Sequence, residues 1–146
     1  MKYLHIAILL LAGILCGSAQ NTLFYSSDKL SNSGINDICQ DGKGYIWIAT
    51  EYGLNRFDGY RFTPFLNQPQ DSTSLCYNVV CCLVCDTKGR LWVGTSKGLQ
   101  RYDYATGTFV NYHFPDGLHP RVSDIIECHD GRMLFGTAGY DLYTLD

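Results

Sequence analysis

Asp86-Thr87-Lys88-Gly89-Arg90-Leu91-Trp92-Val93-Gly94-Thr95-Ser96-Lys97-Gly98-Leu99-Gln100-Arg101-Tyr102-Asp103 is the stretch whose reading decides the fold. Asp86 to Gly89 reads as a turn, Arg90 to Thr95 as a strand, Ser96 to Gly98 as a second turn and Leu99 to Tyr102 as a second strand. Upstream, the apolar run Val79 to Cys85 supplies one more strand. Downstream, a turn over Asp103 to Gly107 leads into a fourth strand, Thr108 to Tyr112. The same unit occurs before and after. Gly44-Tyr45-Ile46-Trp47-Ile48-Ala49-Thr50 lies 45 residues before Gly89-Arg90-Leu91-Trp92-Val93-Gly94-Thr95, and Gly131-Arg132-Met133-Leu134-Phe135-Gly136-Thr137 follows 42 residues after it. Ile35, Asp37 and Ile38 fall on Val122, Asp124 and Ile125, each 87 residues on, and Gly53 to Asp58 falls on Gly98 to Asp103. The third copy slips by one residue and becomes Asp141 to Asp146.

Four antiparallel strands in about 45 residues is the dimension of a propeller blade. Composition agrees. The chain has 146 residues, 46% of them hydrophobic and 17% charged, which places it among folding chains and outside the disordered class. Fifteen glycines and eleven tyrosines against two methionines describe tight turns between aromatic-rich strands. The expected fold is therefore all-β, an incomplete propeller of about three four-stranded antiparallel blades. Residues 35–66 form blade 1, 67–114 blade 2, and 115–146 an incomplete blade 3, after an N-terminal strand and linker over 20–34. The blade motif comprises Trp47 and Thr50, then Trp92, Gly94 and Thr95, then Gly136 and Thr137. The two tryptophans are expected to fill the space between neighbouring blades, and Gly44, Gly89 and Gly131 to supply positive φ in the hairpins. A net charge of −3 with scattered lysines and arginines leaves no footprint for nucleic acid.

Residues 1–19 read as a secretory signal peptide. Met1-Lys2 precede an apolar run from Tyr3 to Cys16, and Gly17 and Ala19 place small residues at −3 and −1. Cleavage after Ala19 leaves 127 residues and a periplasmic address. A membrane anchor is the first alternative, but a run of 14 residues is short against the roughly 20 that a bilayer needs. A lipoprotein is the second, but Gly13-Ile14-Leu15 lack the small residues of a lipobox beside Cys16.

The pattern Asp-x-Lys-Gly-x-Leu-Trp-Val-Gly-Thr-x-x-Gly-Leu-x-Arg-Tyr-Asp of residues 86–103, echoed by 41–58, resembles the two-component regulator propeller repeat. That resemblance implies the N-terminal part of the periplasmic sensor domain of a hybrid two-component system. Members carry two propellers, a β-sandwich, one membrane span and a kinase, and detect oligosaccharides released from glycans. For complete members it also implies that a strand near Phe24 seals the ring against the last blade, a partner that strand is expected to lack here. Three blades do not close a ring, and seven would need roughly 300 residues. The chain is thus expected to be a piece of a larger sensor, with blade edges open to the remaining blades or to self-association. Alternating apolar residues such as Val79, Cys81 and Leu83, or their opposite-face neighbours, are expected on the unrestrained face.

Chemistry-bearing residues give little more. Six cysteines remain after Cys16, and Cys82 and Cys85 point to opposite faces of one strand, so they cannot share a metal as a looped Cys-x-x-Cys does. They read as small core hydrophobes, with a disulfide among Cys39, Cys76, Cys81, Cys82, Cys85 and Cys128 as the alternative. Asp41, Asp86 and Asp130 read as turn aspartates, and His113, His119 and His129 as surface residues without metal or nucleophile spacing. No catalytic residue, metal or cofactor is indicated. Tyr52, Tyr60, Tyr77 and Tyr140 in the loops offer stacking surfaces to an oligosaccharide. Two function classes stay open, a glycan-sensing module and a propeller-shaped enzyme such as a streptogramin-lyase-like protein.

Overall fold

The computed structural model describes residues 29–139 and 141–145; the expected signal peptide, the strand near Phe24 and Tyr140 lie outside them. Three antiparallel sheets follow one another along the chain. Blade 1 contains β1 (Ile35–Gln40), β2 (Ile46–Thr50), β3 (Gly53–Phe57) and β4 (Phe62–Phe65), paired in that order. Blade 2 repeats it with β5 (Val80–Cys85), β6 (Leu91–Thr95), β7 (Gly98–Asp103) and β8 (Thr108–Tyr112). Blade 3 has β9 (Val122–Glu127), β10 (Met133–Thr137) and β11 (Leu142–Leu145). A three-residue 3₁₀ turn spans Pro115–Gly117, and no helix among the described residues is long and apolar enough to cross a membrane.

Local chemistry sets each hairpin. Gly44, Gly89 and Gly131 take φ of 87°, 74° and 84°, a region costly for other residues. Each closes its turn by donating its N–H to the carbonyl three residues earlier, on Asp41, Asp86 and Cys128. Every first strand carries a bulge where pairing skips Asn36, Cys81 or Ser123. An extra residue there bends the strand and interrupts its two-residue period, which corrects the expectation of strict alternation along Val79 to Cys85.

The blades stack face to face. Trp47, Ala49 and Leu54 from blade 1 enclose one core with Leu83, Leu91, Val93 and Tyr102 from blade 2. Cys82, Trp92 and Leu99 from blade 2 enclose a second with Val122, Ile125, Met133 and Phe135 from blade 3. Both tryptophans are fully buried at equivalent positions, each between its own blade and the next. Blade 2 is therefore covered on both sides. Val80 and Leu83 are buried, and the most exposed large aliphatics sit on the outer blades, at Ile35 and Ile38 on β1, Ile126 on β9 and Leu142 on β11, while on blade 2 Val110 of the outer strand β8 is exposed. First strands pack on one another in series, β1 on β5 and β5 on β9, so they line the inner side of the arc and β4 and β8 the outer side.

Candidate functional site

Two ends of the strands make two faces of the arc. One, here the upper face, carries the β2–β3, β6–β7 and β10–β11 turns and the segments leading into blades 2 and 3. The other carries the β1–β2 and β3–β4 turns and their counterparts. Each face is held by its own motif, the lower one in blades 1 and 2 and the upper one in all three.

On the lower face the turn aspartate and the tryptophan six residues later form one unit. Trp47 Nε1 donates to Asp41 Oδ2 at 2.7 Å, and Trp92 Nε1 donates to Asp86 Oδ2 at 2.8 Å. The other oxygen of Asp41 accepts the N–H groups of Lys43 and Tyr45, and that of Asp86 accepts the N–H of Arg90. Tyr104 of blade 2 also donates its hydroxyl to Asp41 Oδ2 at 2.7 Å, which ties the two blades together. Burial pushes both carboxyls up, yet the hydrogen bonds they accept hold each below the usual carboxylate range. In blade 3 the equivalent positions are Cys128 and Leu134, so acceptor and donor are absent together. Asp130 is not the counterpart of Asp41 and Asp86. It lies two residues further on and pairs with Arg132 at the surface.

On the upper face the threonine of each motif turns the chain. Thr50 donates to the Gly53 carbonyl, Thr95 to that of Gly98, and Thr137 to that of Asp141, one residue later because of the slip. Next to it a buried amide anchors the incoming segment. Asn55 on β3 binds Ser31 through both ends of its side chain. Gln100 on β7 accepts the Cys76 N–H at 2.8 Å and donates to the Ser74 carbonyl at 3.0 Å. Register makes Tyr143 the third member, and it packs with Phe114 at a ring distance of 5.0 Å, so blade 3 holds its incoming segment by apolar contact.

A concavity with both polar and apolar lining opens on this face between blades 2 and 3. It encloses about 340 Å³ and is lined by Cys76, Lys97, Asn111, Tyr112, His113 and His119. Lys97 Nζ also lies 4.6 Å from the centre of the Tyr77 ring, which places that tyrosine beside the cleft. Tyr52 is half exposed on the β2–β3 turn of the same face. Tyr60 is 87% exposed but belongs to the β3–β4 turn, at the opposite end of the strands. The structure thus groups Tyr52 with Tyr77 and separates Tyr60 from both. His113 and His119 converge on the cleft through folding, since a strand end and a loop carry them, whereas His129 lies at another depression with Thr87 and Glu127. Among the described residues no three His, Cys, Asp or Glu side chains are grouped to hold a metal ion.

Residues 29–52 and 74–97 each match the two component regulator propeller family. Histidine kinase P4 of Formosa agariphila is 48% identical over 52 residues, 36% of this chain and 4% of that protein. Among solved structures, the extracellular domain ascribed to a one component system of B. thetaiotaomicron superposes with a TM-score of 0.69 at 23% identity, over 86% of this chain and 19% of that one. Virginiamycin B lyase from Staphylococcus aureus gives 0.52 at 17% identity, over 76% and 40%. These structural likenesses show the propeller fold. The chain spans less than a fifth of that extracellular domain and a small part of the kinase it matches.

Proposed function

The chain carries two-component regulator propeller repeats, and from that premise we propose that it forms the opening blades of the ligand-sensing propeller of an exported two-component sensor, without enzymatic activity of its own. The observation that carries this reading is the pair of matched repeats at 29–52 and 74–97, which stack into one unit with a shared core. Export is supported by the leader-like residues 1–19 and places the blades in the periplasm. The ligand class we propose is an oligosaccharide. Its recognition face is the upper one, where Tyr77 offers a ring for stacking and Lys97, Asn111, His113 and His119 offer polar groups around one cleft. Sugars suit such a surface because they present apolar C–H faces and hydroxyl rims at once.

A propeller pocket gathers groups from many blades around one axis, and three blades hold one side of it. Affinity of the chain alone is therefore expected to be no better than about millimolar, near −4 kcal/mol. Amide chemical shifts of the labelled chain, titrated with plant and host glycan oligosaccharides, test the proposal. Weak shifts confined to Tyr77, Lys97 and residues 111–119 are expected. Shifts confined to the Tyr60 end, or none with any sugar, overturn the placement, and a micromolar one-to-one complex overturns the partial-site argument. Linearisation of a streptogramin B substrate by the chain would favour the enzyme reading instead.

A further inference from the structure

Cys39 and Cys85 come from different blades and meet. Cys39 lies on β1 opposite Trp47, on the side of blade 1 that faces blade 2, and Cys85 lies on β5 opposite Leu91, on the side of blade 2 that faces blade 1. Their Sγ atoms are 3.0 Å apart, nearer than two unbonded sulfurs rest in van der Waals contact. The repeat does not dictate this pair. Register puts Val84 at the position of Cys39 in blade 2, and Gln40 and Glu127 at the position of Cys85 in blades 1 and 3. The neighbouring cysteines are engaged elsewhere: Cys76 on Thr95, Cys81 on Ser96, and Cys82 on the Val122 carbonyl in the other core. Both thiols are partly exposed, so a disulfide donor in solution reaches them.

We propose that Cys39 and Cys85 form a disulfide that staples blade 1 to blade 2 once the chain has been exported, a step that rests on the export reading above. The donor is a disulfide, either of a dithiol oxidoreductase or of glutathione. Cys85, as thiolate, attacks one donor sulfur and releases the first donor thiol. Cys39 then loses its proton and attacks Cys85 Sγ in the mixed disulfide, which expels the second donor thiol. Two thiols of the chain thereby lose two protons and two electrons, and the donor disulfide gains them. A hydrogen bond within the pair suits these roles, since it draws Cys85 below the ordinary thiol value against burial and holds Cys39 above it. Bonding asks the sulfurs to approach by about 1 Å, which small side-chain rotations at the edge of the core supply.

The test is peptide mapping of the whole chain equilibrated with oxidised glutathione, alkylated and digested with trypsin. Peptide 30–43 is expected to be linked to peptide 62–88, with fragmentation placing the bond on Cys85. C39S and C85S each lose the link, and should either variant fail to fold, the wild-type map decides by itself. Full alkylation of Cys39, or a bond from it to Cys76, Cys81 or Cys82, overturns the proposal. The oxidised chain is expected to melt about 10 °C above the reduced one, because the bond closes a long loop in the unfolded state. A mapped bond with no difference in midpoint overturns its role as a staple. Fractionated cells tested in parallel separate the two readings: a chain in the envelope fraction with both thiols free overturns the disulfide, and a chain in the cytoplasm overturns export.

Discussion

Asp86 is buried to 5% exposure while charged, and it is stable there because it accepts hydrogen bonds from the Trp92 indole, the Arg90 backbone and the Arg90 guanidinium. Removing the acceptor strands buried donors. Asp86→Ala is therefore expected to lower unfolding free energy in urea by about 2–3 kcal/mol. Trp92→Phe deletes the same bond from the other side, so the double variant is expected to cost less than the sum of the singles. The acid behaviour follows from the same contacts. With folded pKa values of Asp41 and Asp86 held below the ordinary value near ~3.9, their contribution is complete above that value and fades as pH falls through the folded ones. Urea midpoints measured from pH 6 downward are expected to drop below about pH 4, and D41N/D86N is expected to flatten that decline.

Strand spacing between blades rests on what the Trp-x-Gly-Thr glycine leaves out. A Cβ on Gly94 would run into Cys82 Sγ and Val122, whereas one on Gly136 would meet only Ser123 Oγ at 3.6 Å. Gly94→Ala is accordingly expected to destabilise by about 1–3 kcal/mol through overpacking, and Gly136→Ala to be close to neutral, as read by thermal melts. In blade 1 an alanine already stands at this position, Ala49, fully buried in the first core, so the constraint belongs to the blade 2–3 junction alone. Gln100 works at the same scale. It is fully buried and holds the 66–79 segment through Cys76 and Ser74. Gln100→Leu leaves the Cys76 N–H without its acceptor, and that amide is expected to exchange with deuterium at least tenfold faster while β6 amides keep their protection.

Taken whole, the arc presents one apolar blade face at each end. Ile38 is 55% exposed on β1, and Ile126 and Leu142 are 59% and 68% exposed on blade 3. Register puts Ile38 on the face of blade 1 turned away from blade 2, and Ile126 on the face of blade 3 turned away from blade 2. In a closed ring such faces stack on further blades. The purified chain is expected to self-associate through them, with a weight-average mass in sedimentation that rises with concentration. I38E/I126E is expected to stay monomeric at the same concentrations, and an unchanged concentration dependence would exclude these faces as the contact.

Much of this architecture was legible because a repeat states it more than once. Turn glycines, a two-residue period and a 45-residue offset are local properties, and from them followed the strands, the blades, the burial of Trp47 and Trp92 and the slip in blade 3. Two further relations could be read from the chain: lining up Gly44, Gly89 and Gly131 puts Cys128, not Asp130, in place of the turn aspartate, and successive hairpins put Tyr52 and Tyr60 at opposite ends of the strands. The lateral relations were not legible. The cleft of Lys97, His113 and His119 and the meeting of Cys39 with Cys85 arise where one blade lies on the next. Backbone turns and side-chain period are set by neighbours in the chain, whereas these groupings are set by how two twisted sheets seat against each other, which depends on the volume of residues tens of positions apart.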